Sequence, residues 1–175
     1  MTKALTILGE LRDEDVAALV RLGEVLSVSA GQRLIKAGEP ITAIYLVLDG
    51  EFRIEARDGK IIAKVLTGEV LGEMSLVESV PPSVSVVTAR PSRVLSIDQA
   101  ALTQAIAHDD AFAARFYRAI AVFLSRRLRA TVTQLGYGEE NRFDPDEMED
   151  DLLNVTGHGG ERFRRLVQSL IGGTA

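Results

Sequence analysis

Two short stretches hold the residues whose types and spacing could do chemistry: Gly72-Glu73-Met74-Ser75-Leu76 and Pro81-Pro82-Ser83-Val84-Ser85. A glycine followed by an acidic residue can open a short helix over 73–77. The first amides of a helix have no acceptor within it. Together with the helix dipole they favour negative charge, which makes this turn a candidate anion cradle. Pro81-Pro82 is a stiff corner that leads back into a β-branched run, and the Ser83 hydroxyl has its own turn to satisfy. Catalytic patterns are missing: there is no Gly-x-Ser-x-Gly elbow, no Walker loop and no dinucleotide fingerprint. His108 and His158 stand alone, with no second His or Cys at ligand spacing, so no metal site is expected. The expectation is a binding protein, not an enzyme.

The elements that must position these residues follow from the pattern of the chain. Asp13 is the expected cap of a first helix, with Glu14 and Asp15 in its first turn and Val16, Leu19, Val20 and Leu22 as its stripe. From there to Asp98 short β-rich runs recur: Val25–Val28, Arg33–Ile35, Ala43–Leu48, Glu51–Ala56, Ile61–Val65, Val84–Thr88 and Val94–Ile97. Asp49-Gly50 and Asp58-Gly59 are the strongest tight-turn signals among them. Short strands at this spacing predict an all-β sandwich or barrel. The turn at Glu73 is then an insertion on a β scaffold, where binding loops tend to sit.

After Asp98 the periodicity becomes helical. A short helix over Gln99–Ala107 is followed by a long one, capped by Asp109 or Asp110, with Phe112, Phe116, Ile120, Phe123, Leu124, Leu128, Val132 and Leu135 on one face. Its distal half, Leu124, Leu128, Val132 and Leu135, outruns what a small barrel covers, and a second copy of the chain is the expected partner. The segment Glu139–Asp151 holds eight carboxylates against Arg142 alone and reads as a solvated linker. A short helix is expected at Glu161–Ile171. The domain expectation is therefore 1–135 as one domain, 136–151 as an acidic linker and 152–175 as a tail that offers itself to a protein partner.

Composition agrees with a soluble cytoplasmic protein. Hydrophobic residues make up 46% of the 175 and charged residues 26%, enough apolar material for a full core. No run is long enough to span a bilayer, and the N-terminal apolar patch is too short for a signal peptide. The absence of cysteine removes disulfides and thiolate ligands. A net charge of −5 argues against nucleic acid.

The order of elements (a helix, a short-stranded β-roll, two helices of which the second is long) resembles the cyclic nucleotide-binding domain. Three groups of residues carry the resemblance. Gly31 with Leu34-Ile35 and Gly38-Glu39 is similar to the family's first glycine-punctuated hairpin, and Ile44 to Ile54, IYLVLDGEFRI, to its "YxVxxGxxxV" strand pair. Gly68 and Val70-Leu71-Gly72-Glu73-Met74-Ser75-Leu76 are similar to the opening of its phosphate-binding cassette. The resemblance covers about residues 10–135. It implies a mainly β fold with helices: a β-roll (double-stranded jelly roll) with an N-terminal helix, a short cassette helix and a long C-terminal helix. It implies cAMP or cGMP as the ligand class, held by Gly72, Glu73, Met74, Ser75, Pro82, Ser83 and Val84, with Glu73 accepting from the ribose 2′-hydroxyl.

One position departs from the family pattern. Where the cassette closes with Pro-Arg-Ser/Thr-Ala, this chain has Pro81-Pro82-Ser83-Val84, and no Lys or Arg lies between Leu66 and Ala89. A phosphate facing Pro82 loses a charge-assisted pair worth several kcal/mol, about a thousandfold in affinity. The expected function is a stand-alone regulatory or sensor module that binds cAMP or cGMP weakly or not at all. Two alternatives are carried beside it: a receptor that borrows Arg126, Arg127 or Arg129 from the long helix, and a ligand-independent protein-interaction module. Transcription-regulating members carry a winged helix-turn-helix of some 70 residues beyond the long helix. Only 40 residues follow Leu135, the first third of them acidic, so DNA is not an expected partner.

Overall fold

The computed structural model describes residues 4–134 and 145–171. They divide into a β unit, Ala17–His108, and a helical unit drawn from the segments Met1–Val16 and Asp109–Ala175.

In the β unit eight strands form two antiparallel four-stranded sheets. One sheet has the order β1 (Gly23–Val28), β8 (Ser92–Asp98), β3 (Ala43–Asp49), β6 (Val70–Leu71); the other runs β2 (Arg33–Ile35), β7 (Ser85–Thr88), β4 (Glu51–Glu55), β5 (Ile61–Leu66). Successive strands mostly change sheet, which is the winding of a jelly roll. The sequence of β4 shows why it lies flat against a core: Phe52 and Ile54 point in, while Glu51, Arg53 and Glu55 alternate outward. Both sheets supply the interior: Val28, Val47, Leu71 and Val94 from the first, Ile35, Phe52, Ile54, Val65 and Val86 from the second. This is the β-roll that the resemblance implied, within the all-β class that the strand spacing predicted.

Two details differ from expectation. Val70–Leu71 pairs with Tyr45 and Leu46 as a further strand, too short to show a period of two in the sequence. Asp49-Gly50 does not close a hairpin, because β3 and β4 lie in different sheets. Gly50 is the corner between them, with φ of +133° and the Ser92 Cα 2.9 Å from where a Cβ would stand. Asp58-Gly59 does close a hairpin, β4 to β5, with Gly59 at φ +83°. Between β6 and β7 sits α3 (Glu73–Glu78), and after β8 comes α4 (Gln99–His108), where Asp98 Oδ1 accepts from the Ala101 amide at 2.8 Å as an N-cap.

The helical unit contains α1 (Ala4–Glu10), the start of α2 (Asp13–Arg21), α5 (Asp110–Gln134) and α6 (Pro145–Ile171). Asp109 caps α5 by accepting from the Phe112 amide at 2.9 Å. The expected stripe is buried from Phe112 through Phe116, Ile120 and Phe123, then surfaces: Leu124 is half-buried and Leu128 is 65% exposed. Leu135 lies outside the described residues. Asp13 is itself the first residue of α2 instead of its cap; the Arg12 amide donates to Asp15 Oδ2 at 2.8 Å, half of a capping box.

Asp15 is 3% exposed and takes both arms of the Arg115 guanidinium, each at 2.7 Å, so the start of α2 is pinned to α5. That pairing holds the Asp15 carboxyl below its ordinary range. Arg162 of α6 donates to the carbonyls of Leu8 and Gly9, at 3.1 and 3.2 Å, and to Asp13 at 2.6 Å. It thus caps the C-terminal end of α1 with a cation.

The tail departs from the short helix expected at Glu161–Ile171. Residues 135–144 lie outside the described residues, and from Pro145 onward the chain is helical to Ile171. The acidic stretch over 145–151 is therefore the opening of a helix instead of linker. Proline is well placed in a first turn. Gly157, Gly159 and Gly160 lie inside α6, and Gly159 is buried. The contacts of α1 with α6 and the Arg162 cap hold a helix that glycine content alone would weaken.

Candidate ligand-binding site

The cassette runs from Gly72 to Ser85, and both of its ends rest on one segment, Lys36 to Ala43. At the opening, Gly72 is the N-cap of α3 in the left-handed conformation, φ +86°. A Cβ there would stand 2.9 Å from Ile41 Cδ1 and 3.0 Å from the Ala43 carbonyl oxygen, so glycine is demanded by both conformation and space. Glu73 follows in the first turn and is 2% exposed, among the most buried side chains of the chain. Met74 points to solvent at 53% exposure, and Ser75 is half-buried, its carbonyl accepting from the Ser79 amide at 3.0 Å. Ser79 ends α3 with φ +56°, the one non-glycine residue at positive φ among those described.

At the closing end the Gly38 amide donates to the Pro82 carbonyl at 2.7 Å, and the Ala37 amide donates to Ser85 Oγ at 3.1 Å. Pro82 is half-buried, Ser83 is exposed, and Val84 packs against the core cluster. Of the expected site residues, then, Glu73 is enclosed, Gly72, Ser75, Pro82 and Val84 are partly covered, and Met74 and Ser83 face water. Tyr45 packs on the same cluster, and burial pushes its hydroxyl pKa up.

This arrangement, a two-sheet roll interrupted by a glycine-capped helix with a buried glutamate, is matched by the profile of the cyclic nucleotide-binding domain over residues 25–109. Residues 25–109 belong to the cyclic nucleotide-binding domain family. A cyclic nucleotide-binding domain of Methylobacillus flagellatus KT shares the fold with a TM-score of 0.69, 22% identity and coverage of 81% of this chain and 85% of that one. The catabolite activator protein of Thermus thermophilus does so with a TM-score of 0.62, 20% identity and coverage of 95% and 87%. Among sequence relatives, a protein assigned as a potassium channel in Rhodopseudomonas palustris is 25% identical over 137 residues, 77% of this chain and 33% of that one. The chain thus spans about a third of that curated relative's length.

Within the cyclic nucleotide-binding domain, three cations escaped the sequence reading. Arg33, Lys36 and Arg57 line one cleft beside the cassette's closing end, together with Ser85. Twenty-odd residues and a change of strand separate Arg33 from Arg57, so no local motif announces them. Arg126 and Arg127 are half-buried and Arg129 is exposed on α5. Arg129 donates to Ser125 Oγ at 3.3 Å, and Arg127 lies 5.7 Å from the centre of the Phe123 ring.

Proposed function

We propose that this cyclic nucleotide-binding domain is a regulatory module, without catalysis of its own, whose cassette keeps its architecture but has lost its phosphate clamp. The observation that carries this reading is Pro82. It occupies the position of the family's arginine, and no Lys or Arg stands anywhere from Leu66 to Ala89. Gly72 and Glu73 keep the opening half of the pattern, and Val84 fills space against the core where the family has Ala. The cyclic phosphate of cAMP or cGMP would meet a pyrrolidine ring where a guanidinium belongs. That costs several kcal/mol, about a thousandfold in affinity.

The decisive experiment is calorimetric titration of the full chain with cAMP and with cGMP, beside a Pro82→Arg variant. Weak or absent binding by the wild type and recovered binding by Pro82→Arg would support the reading. Micromolar binding by the wild type would overturn it and favour a receptor whose cation comes from elsewhere. A second reading, a protein-interaction module, is favoured by Met74, Val77 and Val80, apolar residues about half exposed on and just after the cassette helix. Silence from both proteins would put that reading first. The module is further proposed to work as a homodimer through the distal face of α5, where Leu128 and Val132 are exposed.

A further inference from the structure

The β unit holds a polar cleft beside the closing end of the cassette. It is a cleft of about 490 Å³ between the β2–β3 connection and the β4–β5 hairpin. Its charged lining is Arg33, Lys36 and Arg57 against Glu39 and Glu55. Lys36 pairs with Glu39, and Glu55 faces Arg53 at 3.9 Å. Among the described residues the side chains of Arg33 and Arg57 make no ion pair and no hydrogen bond, so two guanidinium groups are left unbalanced in one cleft on a chain whose net charge is −5. Arg57 reaches back over the floor: its terminal nitrogen lies 3.7 Å from where a Cβ on Gly38 would stand. The floor and the hairpin turn are glycine, Gly38 at φ +81° and Gly59 at +83°, which leaves the backbone bare on both sides.

Two arginines lining one open cleft suit a phosphate group more than a neutral ligand, because guanidinium binds phosphate oxygens through paired charge-assisted bonds. The volume matches a mononucleotide or smaller. The geometry points to a binding site for a small phosphomonoester or diphosphate at Arg33 and Arg57, separate from the cassette interior. The site also touches the cassette mechanically. Ala37 and Gly38, which form its floor, hold Ser85 and Pro82 through the 3.1 and 2.7 Å bonds. A ligand that orders Ala37-Gly38 therefore stiffens the cassette's return limb.

The test uses the full chain and two probes, inorganic pyrophosphate and ADP, titrated at low salt and followed by calorimetry and by amide shifts in ¹H–¹⁵N spectra. Saturable binding of either probe is expected, with the largest shifts at Ala37, Gly38 and Gly59. Equal affinities would identify the phosphate as the whole ligand; tighter ADP binding would place a nucleoside in the rest of the cleft. Arg33→Gln and Arg57→Gln should each weaken binding about tenfold or more. Arg21→Gln, which removes the same charge from α2, should leave it within twofold. All three arginines are at the surface, and an unchanged circular dichroism spectrum verifies the fold. The proposal is overturned if neither probe saturates, if the shifts centre outside this cleft, or if Arg21→Gln weakens binding as much as the other two. Because pyrophosphate lacks a sugar and a cyclic phosphate, its binding is independent of whether the cassette accepts cAMP.

Discussion

Replacing Gly72 by alanine isolates what the cassette demands of its first residue. Two costs are involved. The first is conformational, because at φ +86° a residue with a Cβ is strained by about 1 kcal/mol. The second is steric, because the new methyl would stand 2.9 Å from Ile41 Cδ1 and 3.0 Å from the Ala43 carbonyl oxygen. Ile41 can rotate, but the Ala43 oxygen belongs to the first residue of β3, whose partner across the sheet is Asp98. The overlap therefore adds about 1–3 kcal/mol, the usual range for overpacking. Gly31 supplies the reference: its φ is +77°, and nothing lies within 4 Å of its added Cβ. Gly31→Ala should cost about 1 kcal/mol and Gly72→Ala about 2–4 kcal/mol. Urea unfolding followed by circular dichroism reads both as shifts in midpoint at constant slope. Equal losses in the two variants would refute the claim that Gly72 is held by space as well as by conformation.

Two further perturbations probe the helical unit. Arg115→Met leaves Asp15 buried without its partner and should destabilise by about 3 kcal/mol, the low end for a broken buried pair because Arg115 is 20% exposed. Since the Asp15 pKa is lowered in the folded state, that stabilisation is complete above the ordinary aspartate range and is lost as pH falls through about 4 and below. The gap in urea midpoint between wild type and variant should shrink over that window, and a gap that stays constant to pH 3 would contradict the assignment. Leu128→Glu, at a position 65% exposed, should leave folding unchanged and shift sedimentation from dimer to monomer; sedimentation of the wild type as a monomer would remove the dimer proposal.

What the sequence made legible depended on whether a signal was local. The alternation in Glu51–Glu55, the turn at Asp58-Gly59 and the caps Asp98 and Asp109 are each set by residues a few positions apart, and the structure has them where the chain places them. Gly72-Glu73 was legible for the same reason, since a helix start advertises itself through its cap and first turn. The extent of α6 was not. Its acidic opening points to linker, and what outweighs it is a set of contacts made about 150 residues away, Arg162 on Leu8, Gly9 and Asp13. The Arg33–Arg57 cleft is hidden likewise: one residue lies at the start of β2, the other just past the end of β4, and only the pairing of both strands with β7 brings them to one place.

That division bears on the proposed loss of the phosphate clamp, which would have to leave the fold intact. The roll is specified by many side chains of modest individual weight, nine of them in the central cluster alone, so the substitution of a single cassette position leaves it standing. Affinity for a cyclic phosphate, by contrast, rests largely on one charge-assisted contact. On the proposed reading, the neighbours of Pro82 anchor this limb: its carbonyl is held by Gly38 and its chain continues into Val84 on the core. The return limb is thus held by a backbone hydrogen bond and by packing on the core. For that reason Pro82→Arg is expected to restore binding without first having to rebuild the cassette.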